Sequence, residues 1–237
     1  MTQMPSLDNQ VRRAGFFAAI ACLLVTIPSL MFPLDAPGGF SAGHADRVAW
    51  LMENRMAFIA GWLFQIASMV TLTLVLMAFV WVVAIERPLR GMLAGVIAAA
   101  SFVVFMIPKF IAVWTIPQLA HAVAAGKGSA GMADSLLLVL NVSLPFSLFT
   151  SFDYLGFWLY AVVGLMVAGP LMAGSTASKV CAVMLGAYGL LYHLVVFGVL
   201  AGTIGGADVE AYALSVAMLL VIAVLAAVFL FKGPLES

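Results

Sequence analysis

Three ionisable residues, Lys109, Asp153 and His193, stand inside or at the edge of long apolar runs in this chain. Charge is expensive to place at membrane depth, so each is a functional candidate by default. Gln65, Asn141, Tyr188 and Tyr192 lie in comparable surroundings and complete a candidate ligand-binding set. Depth decides what each can do. Lys109 lies 18 residues after Gly91, about 27 Å along a helix, which puts it near one membrane boundary. Asp153 begins the next long apolar run and falls on the same side. The two can form a polar dyad. They also admit a plainer reading: a lysine snorkelling to the interface, and an aspartate that caps its helix with Ser151.

His193 follows Ser178 by 15 residues, roughly 22 Å along a helix. Gly186 and Gly189 share its face, so it is expected to point toward a closely packed neighbour and to meet Gln65 at the same level. It is read either as a ligand-contacting or proton-bearing group, or as a histidine satisfied by Gln65, a tyrosine or a backbone carbonyl.

Sharper chemistries lack their parts. A retinal-type lysine is missing from the last apolar run, which has none before Lys232. A haem held by two histidines needs both at one depth; His193 qualifies, but His121 lies beyond its run and His44 in a loop. No cofactor and no metal are therefore predicted, with haem as the alternative carried. Ser129 sits in a loop without an activating partner, and phosphate loops and the HExxH motif are absent. Cys22 and Cys181 fall at different depths, which argues against a disulfide.

The elements that must position these groups follow from composition. Of 237 residues, 65% are hydrophobic and 8% charged, against about 25% charged in soluble domains. Lipid must cover such a surface. Net charge is zero, which excludes a broad basic field for nucleic acid. A membrane span needs about 20 apolar residues, and the chain divides into spans over 14–33, 56–85, from Gly91 onward, 152–171, 178–202 and 209–231. The first run, after Arg12 and Arg13, resembles a signal sequence but lacks a clean small-x-small cleavage site, so it is read as a retained span. The polar loop Leu34–Arg55 holds a short interfacial helix over His44–Asn54, with Trp50 at the headgroups. Pro108 and Pro117 are expected to interrupt the third run, and Ala120–Ala133 to form a loop. Segment 134–148 is read as an interfacial helix; if it crosses, the spans number seven.

The expected fold is thus all-α: one transmembrane domain over 1–237, about six membrane helices with short interfacial ones. Arg12, Arg13, Arg87, Arg90, Lys179 and Lys232 fall on one side, and Arg47, Arg55, Lys109 and Lys127 on the other. By the positive-inside rule both termini are cytoplasmic, and a bacterial inner membrane is expected from the Ala/Gly-rich spans. The polar candidates gather in the outer half of the bundle. That pattern suits a binding or transport-type protein holding a small or apolar ligand in an outward-facing pocket. Two other readings are carried. One is an accessory subunit forming homo- or hetero-oligomers through the small-residue faces Gly91/Gly95/Ala99 and Gly198/Gly202. The other is an enzyme on a lipid-like substrate, with His193 as base or Lys109/Asp153 as a dyad. Membrane lipids are partners in every case.

Overall fold

Helix α1 (Leu7–Met31) starts two turns before the apolar run because its N-terminus is tied down three times. Ser6 caps it by accepting the Asn9 N–H. Asp8 pairs with Arg12 one turn on, at 2.9 Å, and accepts the Trp81 indole N–H at 3.0 Å. The expected start at residue 14 is therefore corrected to Leu7. The computed structural model describes residues 6–126 and 128–232; Lys127, counted above in the charge bias, lies outside them.

After α1 come the interfacial helix α2 (His44–Glu53), α3 (Arg55–Glu86) and α4 (Pro88–Phe110). Pro108 and Pro117 do not break the third span. The helix instead widens into a π segment over Ile111–Thr115 and continues as α5 (Ile116–Ala125). A proline ring clashes with the carbonyl four residues back, and a wider turn, with the Ile116 N–H reaching the Ile111 carbonyl, accommodates the second proline. Gly126, at φ 63°, then ends the helix in the left-handed conformation that favours glycine. The expected loop over 120–133 is thus helical for its first and last parts.

Segment 134–148 is corrected as well. Helix α6 spans Ala130–Val139, and its 10 residues reach only about 15 Å, half the hydrocarbon thickness. The chain then turns irregularly until Ser147, whose hydroxyl accepts the Thr150 N–H at 3.1 Å and caps α7 (Leu148–Leu171). Asp153 is therefore inside α7 and is not its cap. Helices α8 (Thr176–Leu200) and α9 (Val209–Phe231) complete the chain. Six helices are long and apolar enough to cross a membrane, the third being α4 through α5. The molecule is an all-α membrane bundle.

The six spans form a ring in chain order, α1 against α3, then α4, α7, α8 and α9, with α9 returning to α1. Hydrocarbon provides no hydrophobic drive between helices, so close packing and buried hydrogen bonds must hold them. A Cβ on Gly15 would lie 2.6 Å from that of Ala78, and one on Gly164 2.6 Å from the Leu185 carbonyl oxygen. Ser101 donates to the Gly156 carbonyl at 2.7 Å, and Thr73 meets the Tyr160 hydroxyl. Two small residues expected to face partners are used within the chain: Gly91 abuts Ala84 in the α3–α4 hairpin, and Gly198 abuts Ile204 in the turn after α8.

One end of the ring carries both described chain ends. The other is closed by a cap of α2, α5 and α6, with its own apolar cluster around Leu51, Phe58, Trp62, Ile116, Leu137 and Phe149. The candidate polar residues lie at or near this cap end.

Candidate functional site

Lys109 is turned inward, away from the snorkelling position. Its side chain is 3% exposed and its ammonium lies 2.6 Å from the Asp153 carboxylate. The nitrogen also stands over the Phe105 ring at 4.8 Å and the Trp62 ring at 5.9 Å, where the negative ring faces attract it. The α4–α7 contact sets this pairing: Gly156 lets the Phe105 ring press against α7, which brings the last turn of α4 beside the second turn of α7.

The pair lines a cavity of about 380 Å³ between α3, α4, α7 and α9, roofed by residues of the 34–39 and 142–143 segments. Gln65 lines it too, some 15 Å along α3, and its side chain makes no hydrogen bond among the described residues. Met69, Phe157 and Ala217 form the apolar floor. The cavity exists because α3 and α9 only graze each other across the ring.

A second ion pair stands in the roof. Arg47, 7% exposed, donates through Nε to both Asp35 oxygens at 3.0 and 3.1 Å and through Nη2 to the Gly39 carbonyl at 2.6 Å. Ser143 donates to the same carboxylate. Asn141 accepts the Ser143 N–H at 2.9 Å, so it shapes the roof and stands one step behind the cavity surface. His44 meets Asp134 at 2.7 Å and ties α2 to α6. Glu210, in the first turn of α9, also lines the cavity; there the helix dipole favours its charge. Its ion pairs are none among the described residues, so the lining carries Asp35, Asp153 and Glu210 against Lys109 and the neighbouring Arg47.

The remaining sequence candidates divide. The Tyr188 hydroxyl donates to the Phe157 carbonyl at 2.7 Å, and that of Tyr192 to the Tyr154 carbonyl at 3.2 Å; both brace α7 against α8. His193 does not meet Gln65. Its Nδ1 lies 2.7 Å from the Gly189 carbonyl and so must donate. Its ring edge meets Trp158 at a centroid distance of 6.0 Å. The structure thus gathers Lys109, Asp153 and Gln65 around one cavity, while His193 belongs to the α7–α8 seam.

A second cavity of about 370 Å³ lies between α7, α8 and α9, walled by Leu155, Trp158, Val196 and Val199 among others. Tyr154 and Ala213 line both cavities.

Sequence reasoning missed Asp35, Arg47, Ser143 and Glu210. Asp35 sits in a segment that reads as polar loop, and Arg47 and Ser143 in segments that read as interfacial helices, and nothing in the sequence relates the three segments in space. Glu210 was legible only as a charge opening a span. Among the described residues, no three of His, Cys, Asp and Glu converge as a metal site requires. Comparison with protein-family models, curated proteins and solved structures finds no match to this chain.

Proposed function

We propose that the protein binds a small, partly apolar molecule in the cap-end cavity, with Asp153 and Gln65 contacting its polar part and Lys109 holding the Asp153 carboxylate in place. The carrying observation is the Lys109–Asp153 pair, buried at its lysine end yet forming the wall of an open cavity. Desolvation offsets most of what such a pair contributes to stability, so an apolar pair would serve folding as well. Ligand recognition is a reason to retain it. Gln65, with hydrogen-bonding groups uncommitted at the same wall, supports the reading.

Binding is favoured over passage across the membrane in this conformation. Toward the other end the ring is filled by Leu76, Phe79, Val83, Leu171 and Phe231, whose apolar side chains close the cavity on that side. We place the cap outside a bacterial inner membrane and both termini in the cytoplasm. The Lys/Arg distribution supports this orientation.

The test uses protein extracted gently from its own membrane, with mass spectrometry of the small molecules it retains. The Lys109→Met/Asp153→Leu double variant, with melting kept within a few degrees of wild type, is expected to lose a molecule that wild type carries. Identical extracts from the two proteins would sink the reading.

A further inference from the structure

The two cavities lie side by side, sharing Tyr154 and Ala213 in their walls. Helices α7 and α9 barely touch, and α8 bridges them. Gly164 and Gly189 draw α7 and α8 together at mid-helix and beyond, on the side away from the cap: a Cβ on Gly189 would lie 2.8 Å from the Ala161 carbonyl oxygen. Toward the cap the facing residues become Trp158, Tyr192, Val196 and Val199, and the helices part around the apolar chamber. Phe146 and Leu200 at its rim are 73% and 75% exposed, on a surface that faces lipid. Tyr154 and Ala213 form the junction with the polar chamber, where the carboxylates outnumber the cations. Aromatic Tyr154 and Phe157 stand beside that acidic surplus, a setting that suits an organic cation.

Resting on the cavity reading above, we propose that the ligand is a single-chain cationic amphiphile. Its charged head occupies the chamber of Glu210, Asp153 and Gln65, and its hydrocarbon tail passes the Tyr154–Ala213 junction into the apolar chamber. It enters sideways from the bilayer where α7 and α8 part, past Phe146 and Leu200. The polar chamber alone would take the head group but would gain nothing from the tail; the apolar chamber alone would take a tail of any charge. Only their continuity selects a molecule with both parts.

The probes are tetramethylammonium, hexyltrimethylammonium, decyltrimethylammonium and decyl sulfate, measured on the full chain in phosphatidylglycerol-free nanodiscs and corrected for uptake by empty discs. Wild type is expected to bind the decyl cation at least tenfold more tightly than tetramethylammonium, and decyl sulfate at least tenfold more weakly than the decyl cation. Ala213→Trp, which plugs the junction, is expected to abolish the gain with chain length. Ala213→Met, a smaller plug, is expected to remove part of it and serves if the tryptophan variant does not fold. Glu210→Gln is expected to weaken all three cations severalfold. A chain-length gain absent from wild type, or unchanged by both plugs, overturns the two-chamber site. Equal binding of decyl sulfate overturns the cationic head. Either result leaves the cavity reading standing, because that reading falls only if the Lys109→Met/Asp153→Leu extract matches wild type.

Discussion

Lys109 illustrates how much a single charge constrains a membrane bundle. Its ammonium has one carboxylate and two ring faces as partners, so removing the carboxylate leaves a buried cation with only the rings. Breaking a buried pair costs about 3–5 kcal/mol; because Asp153 is 20% exposed, the lower end applies. Asp153→Leu alone is therefore expected to destabilise by about 3 kcal/mol, and the double variant Lys109→Met/Asp153→Leu by much less, measured by reversible unfolding in mixed micelles. Equal losses for the single and double variants would contradict the burial argument. His193 offers the contrast. Its ring is satisfied by its own helix and stands outside both chambers, so His193→Gln is expected to change ligand retention by less than twofold. The lysine, the aspartate and their common level were legible in the sequence, since a charge in an apolar run announces itself. Whether Lys109 turned inward or outward was not, because that depends on which face of α4 the ring covers. The Asp35–Arg47 pair was illegible for a different reason: a loop residue and a residue of α2 twelve positions later share no periodicity from which to infer a meeting.

Helix spacing here is set by where side chains are missing. At Gly164 an added Cβ would lie 2.6 Å from the backbone oxygen of Leu185, which cannot swing aside, whereas at Gly95 the nearest atom is the Val80 methyl at 3.5 Å. Gly164→Ala is thus expected to cost about 1–3 kcal/mol by overpacking and to spread α7 from α8. Gly95→Ala is expected to be neutral or to gain up to roughly 1 kcal/mol from helix propensity. The same unfolding assay separates the two, and a neutral Gly164→Ala would mean that α8 is free to shift. Span existence was readable from apolar length alone, and α3 and α9 fall almost on their expected bounds. The ends that moved did so for local reasons: Ser6 and the Asp8–Trp81 bond extend α1 backward, and Ser147 starts α7 earlier than the apolar run implied. Proline misled in the third span because a π turn absorbs what an α turn cannot. The apolar continuity of the run was the better guide.

Closure of six spans into a ring in chain order places consecutive connections alternately at the two ends. The cap and the 201–208 turn therefore share one face, while the α3–α4 and α7–α8 turns share the other with both described chain ends. With α6 only 10 residues long, no seventh crossing inverts this order among the described residues. A seven-span chain would instead put Ser135 and Ala173 in a different relation, so labelling decides the matter. Both native thiols, Cys22 and Cys181, are buried, and the wild-type chain is expected to resist a membrane-impermeant maleimide. Ser135→Cys lies on an exposed part of α6, and Ala173→Cys in the exposed α7–α8 turn. In intact cells the first is expected to react and the second to react only after the membrane is permeabilised. Reversed accessibility would keep the six-span ring but invert the orientation, moving the ligand chambers to the cytoplasmic leaflet. Labelling of both from outside would break the ring itself, because α7 would then no longer cross.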